Sequence, residues 1–200
     1  MNVLITGASG GIGRAIAIEF AKHKCNIIGC AKTNAKGLAE TKKTIEDIGV
    51  KCYTSICDIT NENAVIDFIS SSTKEIGSVD ILVNNAGISF IGLIQDMSID
   101  EWNNVINTNL TSVFLMSKHI IPYMINKQKG HIINISSVWG NVGASMEAAY
   151  SASKGGLNSF TKALASFFEF IAKDFLTHGE TSKRINIPTC WMRRFLWKIA

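Results

Sequence analysis

Two spacings of apolar residues take turns along most of the chain. Short runs of consecutive apolar residues are followed by longer stretches in which apolar side chains return every third or fourth position. The short runs predict strands and the longer stretches amphipathic helices. Strands are expected at residues 3–5, 26–30, 52–57, 79–83 and 132–135. A first helix is expected over 12–23, with Ile12, Ala15, Ile16, Glu19 and Phe20 marking its faces, and a second over 36–48, stopped by Gly49. Thr60 is placed to cap a third, which carries Val65, Ile66, Phe68 and Ile69 and stops near Gly77. Ser98 and Glu101 form a capping box at the head of a long helical region through Trp102, Val105, Asn109 and Phe114, and Pro122 should kink or end it. A last helix is expected over 148–170. This alternation predicts an α/β fold, a doubly wound parallel sheet of Rossmann type in a single domain.

Composition fits that picture and narrows the partners. A hydrophobic share of 46% with 18% charged residues in 200 suits a soluble chain long enough to bury a substantial core. The net charge of +4 comes from lysines scattered through helical patterns rather than clustered with aromatics, so nucleic acid is not an expected partner. No run approaches the roughly 18 apolar residues of a membrane span. Met1 leads directly into VLITG, without the basic and long apolar regions of a signal peptide, so a cytoplasmic location is expected. Cys25, Cys30, Cys52, Cys57 and Cys190 form no C-x-x-C pair and have no histidine at metal spacing; free thiols and no metal are expected.

Chemistry first shows itself in Thr6-Gly7-Ala8-Ser9-Gly10-Gly11-Ile12-Gly13, between the first strand and the first helix. Glycines there permit a tight turn and close backbone approach, and the free N–H groups at the helix start attract a pyrophosphate. Gly7, Ser9, Gly11, Ile12 and Gly13 are therefore candidate dinucleotide contacts. A reader of NAD normally carries an acid after the second strand, but here stand Gly29-Cys30-Ala31-Lys32-Thr33. Lys32 and Thr33 suit a 2'-phosphate, which favours NADP(H). Asp58 and Ile59, just past the third strand, are candidates for the adenine edge, although Asp58 reads equally as a turn or cap aspartate.

Residues 131–156, HIINISSVWGNVGASMEAAYSASKGG, hold the candidate proton chemistry. On a helix, Tyr150 and Lys154 share a face, so an ammonium can sit beside a phenol. Holding a phenol of pKa about 10 near 7 needs roughly 4 kcal/mol. One charge about 4 Å away, at an effective dielectric near 20, supplies that order of energy. Tyr150 as general acid or base, Lys154 tuning it and Ser137 orienting a substrate oxygen would form a proton-transfer site. The pair alone is weak: with 3 tyrosines among 200 residues and 16 lysines, chance supplies one in about every fourth chain.

The context is more specific. TGASGGIG at 6–13, CDIT at 57–60, NNAG at 84–87, INTNL at 106–110, ISS at 135–137 and YSASK at 150–154 follow one another in register, and together they resemble the short-chain dehydrogenase/reductase family over residues 2 to 165. The resemblance implies a ketone reductase in which Ser137 bonds the carbonyl, Tyr150 gives the proton and Lys154 lowers the tyrosine pKa while holding the nicotinamide ribose. It also implies that Asn109 holds a water relaying protons to Lys154, that Asn84, Ala86 and Gly87 touch cofactor or brace the sheet, and that Asn85 is structural. Within the family the chain is similar to bacterial 3-oxoacyl-(acyl-carrier-protein) reductases of fatty acid biosynthesis, with a small-molecule or carrier-linked ketone as substrate. Trp139 and Glu147 also resemble a sister group that reduces the 5-aminopentanone modification on elongation factor P. A homo-oligomer, tetramer or dimer, built on helices around 100–125 and 150–170 is implied as well.

After residue 165 the family pattern stops, which divides the chain into a reductase domain, 1–165, and an atypical tail, 166–200. The last strands and a Pro-Gly turn over the nicotinamide are expected to be missing, with weak or absent activity and poor solubility as the consequence. Arg184-Ile185-Asn186 is a faint echo of a sixth strand, and residues 192–200 read as a frame change or a cationic amphipathic helix. A non-catalytic dinucleotide-binding module with a partner-binding tail is the rival from a different class.

Overall fold

The computed structural model describes residues 1–177, with side chains as far as Phe168. Five strands form one parallel sheet: β1 (Asn2–Thr6), β2 (Asn26–Ala31), β3 (Cys52–Ile56), β4 (Ile81–Asn84) and β5 (His131–Asn134). Their order is β3-β2-β1-β4-β5, so the chain reverses direction across the sheet between β1 and β4. In open α/β sheets the crevice at such a reversal, outside the carboxyl ends of the strands, is where ligands bind.

Helices cover both faces. α1 (Gly11–Lys22) and α2 (Ala35–Asp47) pack on the face presenting Val3, Ile5, Ile27, Ile81 and Val83. α3 (Glu62–Ile76) and α5 (Ser112–Asn126) cover the opposite face, on Leu4, Ile28 and Leu82. Strands buried on both faces cannot show polar alternation, which is why β1, β2 and β4 read as continuous apolar runs. β3 and β5 are different: among the described residues each pairs with one strand, β2 and β4 respectively, and Tyr53, Thr54, Ile132 and Ile133 are only partly covered. Cys25, Cys30, Cys52 and Cys57 are free and buried. Among the described residues no helix is long and apolar enough to cross a membrane.

Three expectations need correcting. Thr60 does not cap α3; Asn61 does, accepting the Ala64 N–H at 3.0 Å, while Thr60 turns back to Asp58. Pro122 lies inside α5 rather than ending it, on the exposed side of the helix with Lys118, where an unpaired carbonyl can meet water. The long helical region is also not continuous. α4 (Ile99–Ile106) passes into a π-helical turn, Asn107–Thr111, before α5, and one extra residue is accommodated there. The Ser98–Glu101 capping box is present with both of its bonds. Beyond β5 the chain makes one short helix, α6 (Trp139–Val142), before the long α7 (Ala148–Thr177). α7 extends beyond the expected 170, and the readings placed on residues 184–186 and 192–200 lie outside the described residues.

Candidate active site

The glycine turn is shaped by contacts a side chain would obstruct. Gly7 has φ +71°, and a Cβ there would meet the Asn85 amide at 3.0 Å and Ala86 Cα at 3.1 Å. At Gly13 a Cβ would strike the Gly7 carbonyl and come within 2.6 Å of Asn85 Nδ2, so α1 can seat against the turn only with hydrogen at that position. Gly10 precedes α1 without a capping side chain, and the first turn carries no acid. Its N–H groups are left for a ligand, and the space beside Gly11 is open. That cradle fits the pyrophosphate of a dinucleotide. Ser9 turns its carbonyl toward Gly37 of α2, and that carbonyl accepts a bond from Arg14 of α1 at 2.9 Å.

At the ends of β2 and β3 the structure joins two candidates to each other. Lys32 Nζ lies 2.8 Å from Asp58 Oδ2, and Asp58 Oδ1 accepts the Thr60 N–H at 3.0 Å and its hydroxyl at 2.7 Å. Burial alone would raise the Asp58 carboxyl, but Lys32 and the Thr60 donors outweigh it and hold it below the usual carboxylate range. Thr33 follows in the turn to α2 and accepts the Ala35 N–H. Ile59 is buried in the core beneath this turn.

The segment after β4 is pinned from two sides. Thr6 Oγ1 accepts the N–H groups of Asn85 and Ala86 at 3.0 and 3.1 Å, and Asn85 Nδ2 donates to the Thr6 carbonyl at 3.0 Å. Asn109, fully buried in the π turn, accepts the Ile88 N–H at 2.8 Å and donates to the Ile88 carbonyl at 2.8 Å and to Ser153 Oγ at 3.0 Å. Both amide hydrogens are thus committed. Asn84, on β4, donates to Asn134 Oδ1 on β5 rather than facing the cleft, and Asn134 in turn donates to Thr161. Gly87 lies beside Asn109 Oδ1 and Lys154 Nζ, where a Cβ would come within 3.2 Å and 3.6 Å of them.

Ser137, Tyr150 and Lys154 come together in one cavity of about 430 Å³, which Ile12 of α1 also lines. Ser137 Oγ accepts the Trp139 N–H at 3.2 Å, so its own O–H is available to another oxygen. Lys154 is 4% exposed, with Nζ donating to the Ile135 carbonyl at 2.7 Å and standing 5.7 Å from the centre of the Tyr150 ring. Burial pulls the Lys154 pKa down. With little water around it, the lysine charge is weakly screened. Trp139 and Glu147 line the same cavity, and Ser89 donates to Glu147 Oε1 at 3.0 Å.

Three contributors escaped the sequence reading as site residues. Thr6 opens the glycine run and ties it to residues 85 and 86. Ser153, one residue before Lys154, links Asn109 to α7, its hydroxyl donating to the Tyr150 carbonyl at 2.7 Å. Ser89 holds Glu147. Thr6 and Ser153 each had a visible signal, as a small polar residue inside TGASGGIG and YSASK, and Ser89 had none.

Known proteins share this arrangement. The family model described as short chain dehydrogenase matches residues 1–169. The 3-oxoacyl-(acyl-carrier-protein) reductase FabG of Vibrio harveyi is 41% identical over 162 residues, 81% of this chain and 65% of that enzyme. The chain therefore spans a little under two thirds of the length of the curated relatives it matches. Among solved structures, a variant of actinorhodin polyketide ketoreductase with NADPH superposes with a TM-score of 0.79 at 36% identity, covering 82% of this chain and 63% of that one. NAD+-bound xylitol dehydrogenase gives 0.79 at 33%, over the same shares. With one family model running unbroken through the glycine turn, the Asn109 turn and the Ser137, Tyr150 and Lys154 cavity, the chain belongs to the short chain dehydrogenase family.

Proposed function

We propose that the chain is an NADP-dependent ketone reductase that acts in the cytoplasm on a 3-oxoacyl group, free or linked to acyl carrier protein. The observation that carries this is the single cavity in which Ser137, Tyr150 and Lys154 meet the open start of α1. The free N–H groups of α1 and the open space at Gly11 fit the pyrophosphate, and Lys32, with no acid after β2, fits a 2'-phosphate. When bound, the nicotinamide supplies the hydride. Ser137 donates its hydroxyl hydrogen to the substrate carbonyl oxygen, and Tyr150 delivers the proton to that oxygen. Lys154 stabilises the phenolate left on Tyr150 and holds the ribose hydroxyls, and Asn109 keeps the loop ahead of them in place while a water at its turn returns protons to Lys154. The name of the Vibrio harveyi enzyme and the NADPH of the ketoreductase support the substrate and cofactor. Phe114, Tyr123 and Phe167, exposed on α5 and α7, support assembly as a homo-oligomer.

NADPH oxidation with an acetoacetyl thioester tests the proposal. Tyr150→Phe should lower kcat by about 10²- to 10⁴-fold and leave the NADPH Kd within about threefold. Binding without turnover in both proteins would favour a non-catalytic dinucleotide module.

Glu147 favours a second reading. A carboxylate beside Trp139 in the cavity suits a ketone with a cationic tail, such as the 5-aminopentanone group on elongation factor P. A ketone bearing a trimethylammonium tail would then be preferred over the thioester, and Glu147→Gln would remove the preference.

A further inference from the structure

The ion pair at the ends of β2 and β3 bears on which dinucleotide the chain prefers, a question that rests on the proposed binding of a nicotinamide dinucleotide at the glycine turn. Lys32 and Asp58 directly follow two hydrogen-bonded residues, the Cys57 N–H donating to the Ala31 carbonyl at 3.0 Å, so their side chains rise from neighbouring points. The two ends of the pair are not equally free. Asp58 is fastened through Oδ1 by both donors of Thr60, whereas the Lys32 side chain is 59% exposed and, among the described residues, held at its tip by Asp58 Oδ2 alone. Lys32 can therefore leave, and Asp58 cannot follow. Arg14, in the first turn of α1, is already bound to the Ser9 and Gly37 carbonyls, Thr41 and Glu40.

We propose that Asp58 acts as a discriminator against the 2'-phosphate, by occupying Lys32 and by keeping its own negative charge beside any phosphate that draws Lys32 away. A phosphate monoester brings close to two negative charges at neutral pH, whereas the corresponding hydroxyl of NAD+ brings none. The phosphate must break an ion pair and then sit near the abandoned carboxylate; the hydroxyl need do neither. The absence of an acid after β2 thus favours NADP(H) less than the sequence suggests, because the acid comes from β3.

Titration calorimetry of NADP+ and NAD+ against the whole chain, wild type and variants, tests this directly. Asp58→Asn keeps an acceptor for Thr60 and removes only the charge. It should tighten NADP+ on the order of tenfold while moving NAD+ by less than about threefold, the scale of one nearby, partly screened charge. Lys32→Met should weaken NADP+ selectively, and in that background Asp58→Asn should gain clearly less than tenfold. Equal changes for the two dinucleotides would show that Asp58 acts through the adenine alone and would overturn the proposal. Binding of neither dinucleotide by the wild type would overturn the cofactor reading and this proposal with it.

Discussion

Asn109→Ala separates a brace from a proton carrier. The side chain makes three bonds in a fully buried position, two of them to the backbone N–H and carbonyl of Ile88. Alanine leaves the Ile88 N–H and carbonyl without these partners, at about 1–3 kcal/mol for each buried group stranded. Ile88 is only partly buried, so water can recover some of that, and the Ser153 hydroxyl keeps its bond to the Tyr150 carbonyl. The total comes to about 3 kcal/mol, within the range of broken buried networks. Urea unfolding followed by tryptophan fluorescence should show the midpoint falling by about 1.5 M at an m-value near 2 kcal/mol/M. NADPH titration should show weaker binding, since residues 85–88 lose one of their two anchors. A variant that is dead in turnover yet within about 0.5 kcal/mol of wild type in stability would refute the bracing role and leave Asn109 with the proton relay alone.

Two other substitutions probe separate parts of the fold. Gly13→Ala drives a methyl group into the Gly7 carbonyl and the Asn85 amide, which are backbone and tightly held groups; dinucleotide binding measured by NADPH fluorescence should fall at least about tenfold, and unchanged affinity would contradict the packing described at that turn. Asp80→Asn tests an anchor at the opposite end of the sheet, where the carboxylate accepts the Asn2 N–H at 2.8 Å and pairs with Lys127 at 3.0 Å. Burial pushes this carboxyl up, but the Asn2 bond, Lys127 and the N-terminal ammonium together hold it below its usual range. A depressed carboxyl stabilises the fold above its unfolded pKa of about 3.9, and that stability is lost as pH falls through the lower folded value. Asp80→Asn should therefore cost about 1 kcal/mol at pH 7, the gap closing below about pH 4, with the proposed reductase activity unaffected; a gap constant down to about pH 2.5 would contradict the linkage.

What could be read from the sequence depended on how local its cause was. β1, β2 and β4 were visible because strands buried on both faces need unbroken apolar runs, and β4 leads directly into Asn84-Asn85-Ala86-Gly87 as its run implied. Tyr150 and Lys154 could be paired because one helix carries both. The interruption of the long helical region at Asn107 could not be foreseen, since a π turn leaves no compositional mark in a stretch such as NTNLT. Thr60 and Asn61 are both good capping types, and the choice between them was decided by Asp58, which takes the Thr60 hydroxyl. The pairing of Lys32 with Asp58 joins residues that follow different strands, so the sequence shows each alone and hides that one holds the other.

The bonds around residues 85–88 explain why two chemically distinct halves work as one site. Thr6 holds the front of this segment to the phosphate turn, and Asn109 holds its back to the helix that faces Tyr150 and Lys154. The proposed seat of the dinucleotide and the proposed proton-transfer group are therefore referenced to the same short piece of backbone, rather than to each other across an open cleft. Fixing both ends of a link restricts the distance between them far more than fixing either half separately, and transfer to a carbonyl tolerates little error in that distance. The π turn belongs to this arrangement: it is the local widening of the helix in which Asn109 meets both polar groups of Ile88 and Ser153 of α7 at once. A regular helix through INTNL would shift the later residues around the axis relative to the earlier ones, and Asn109 could not keep all three partners without moving α5 off the sheet.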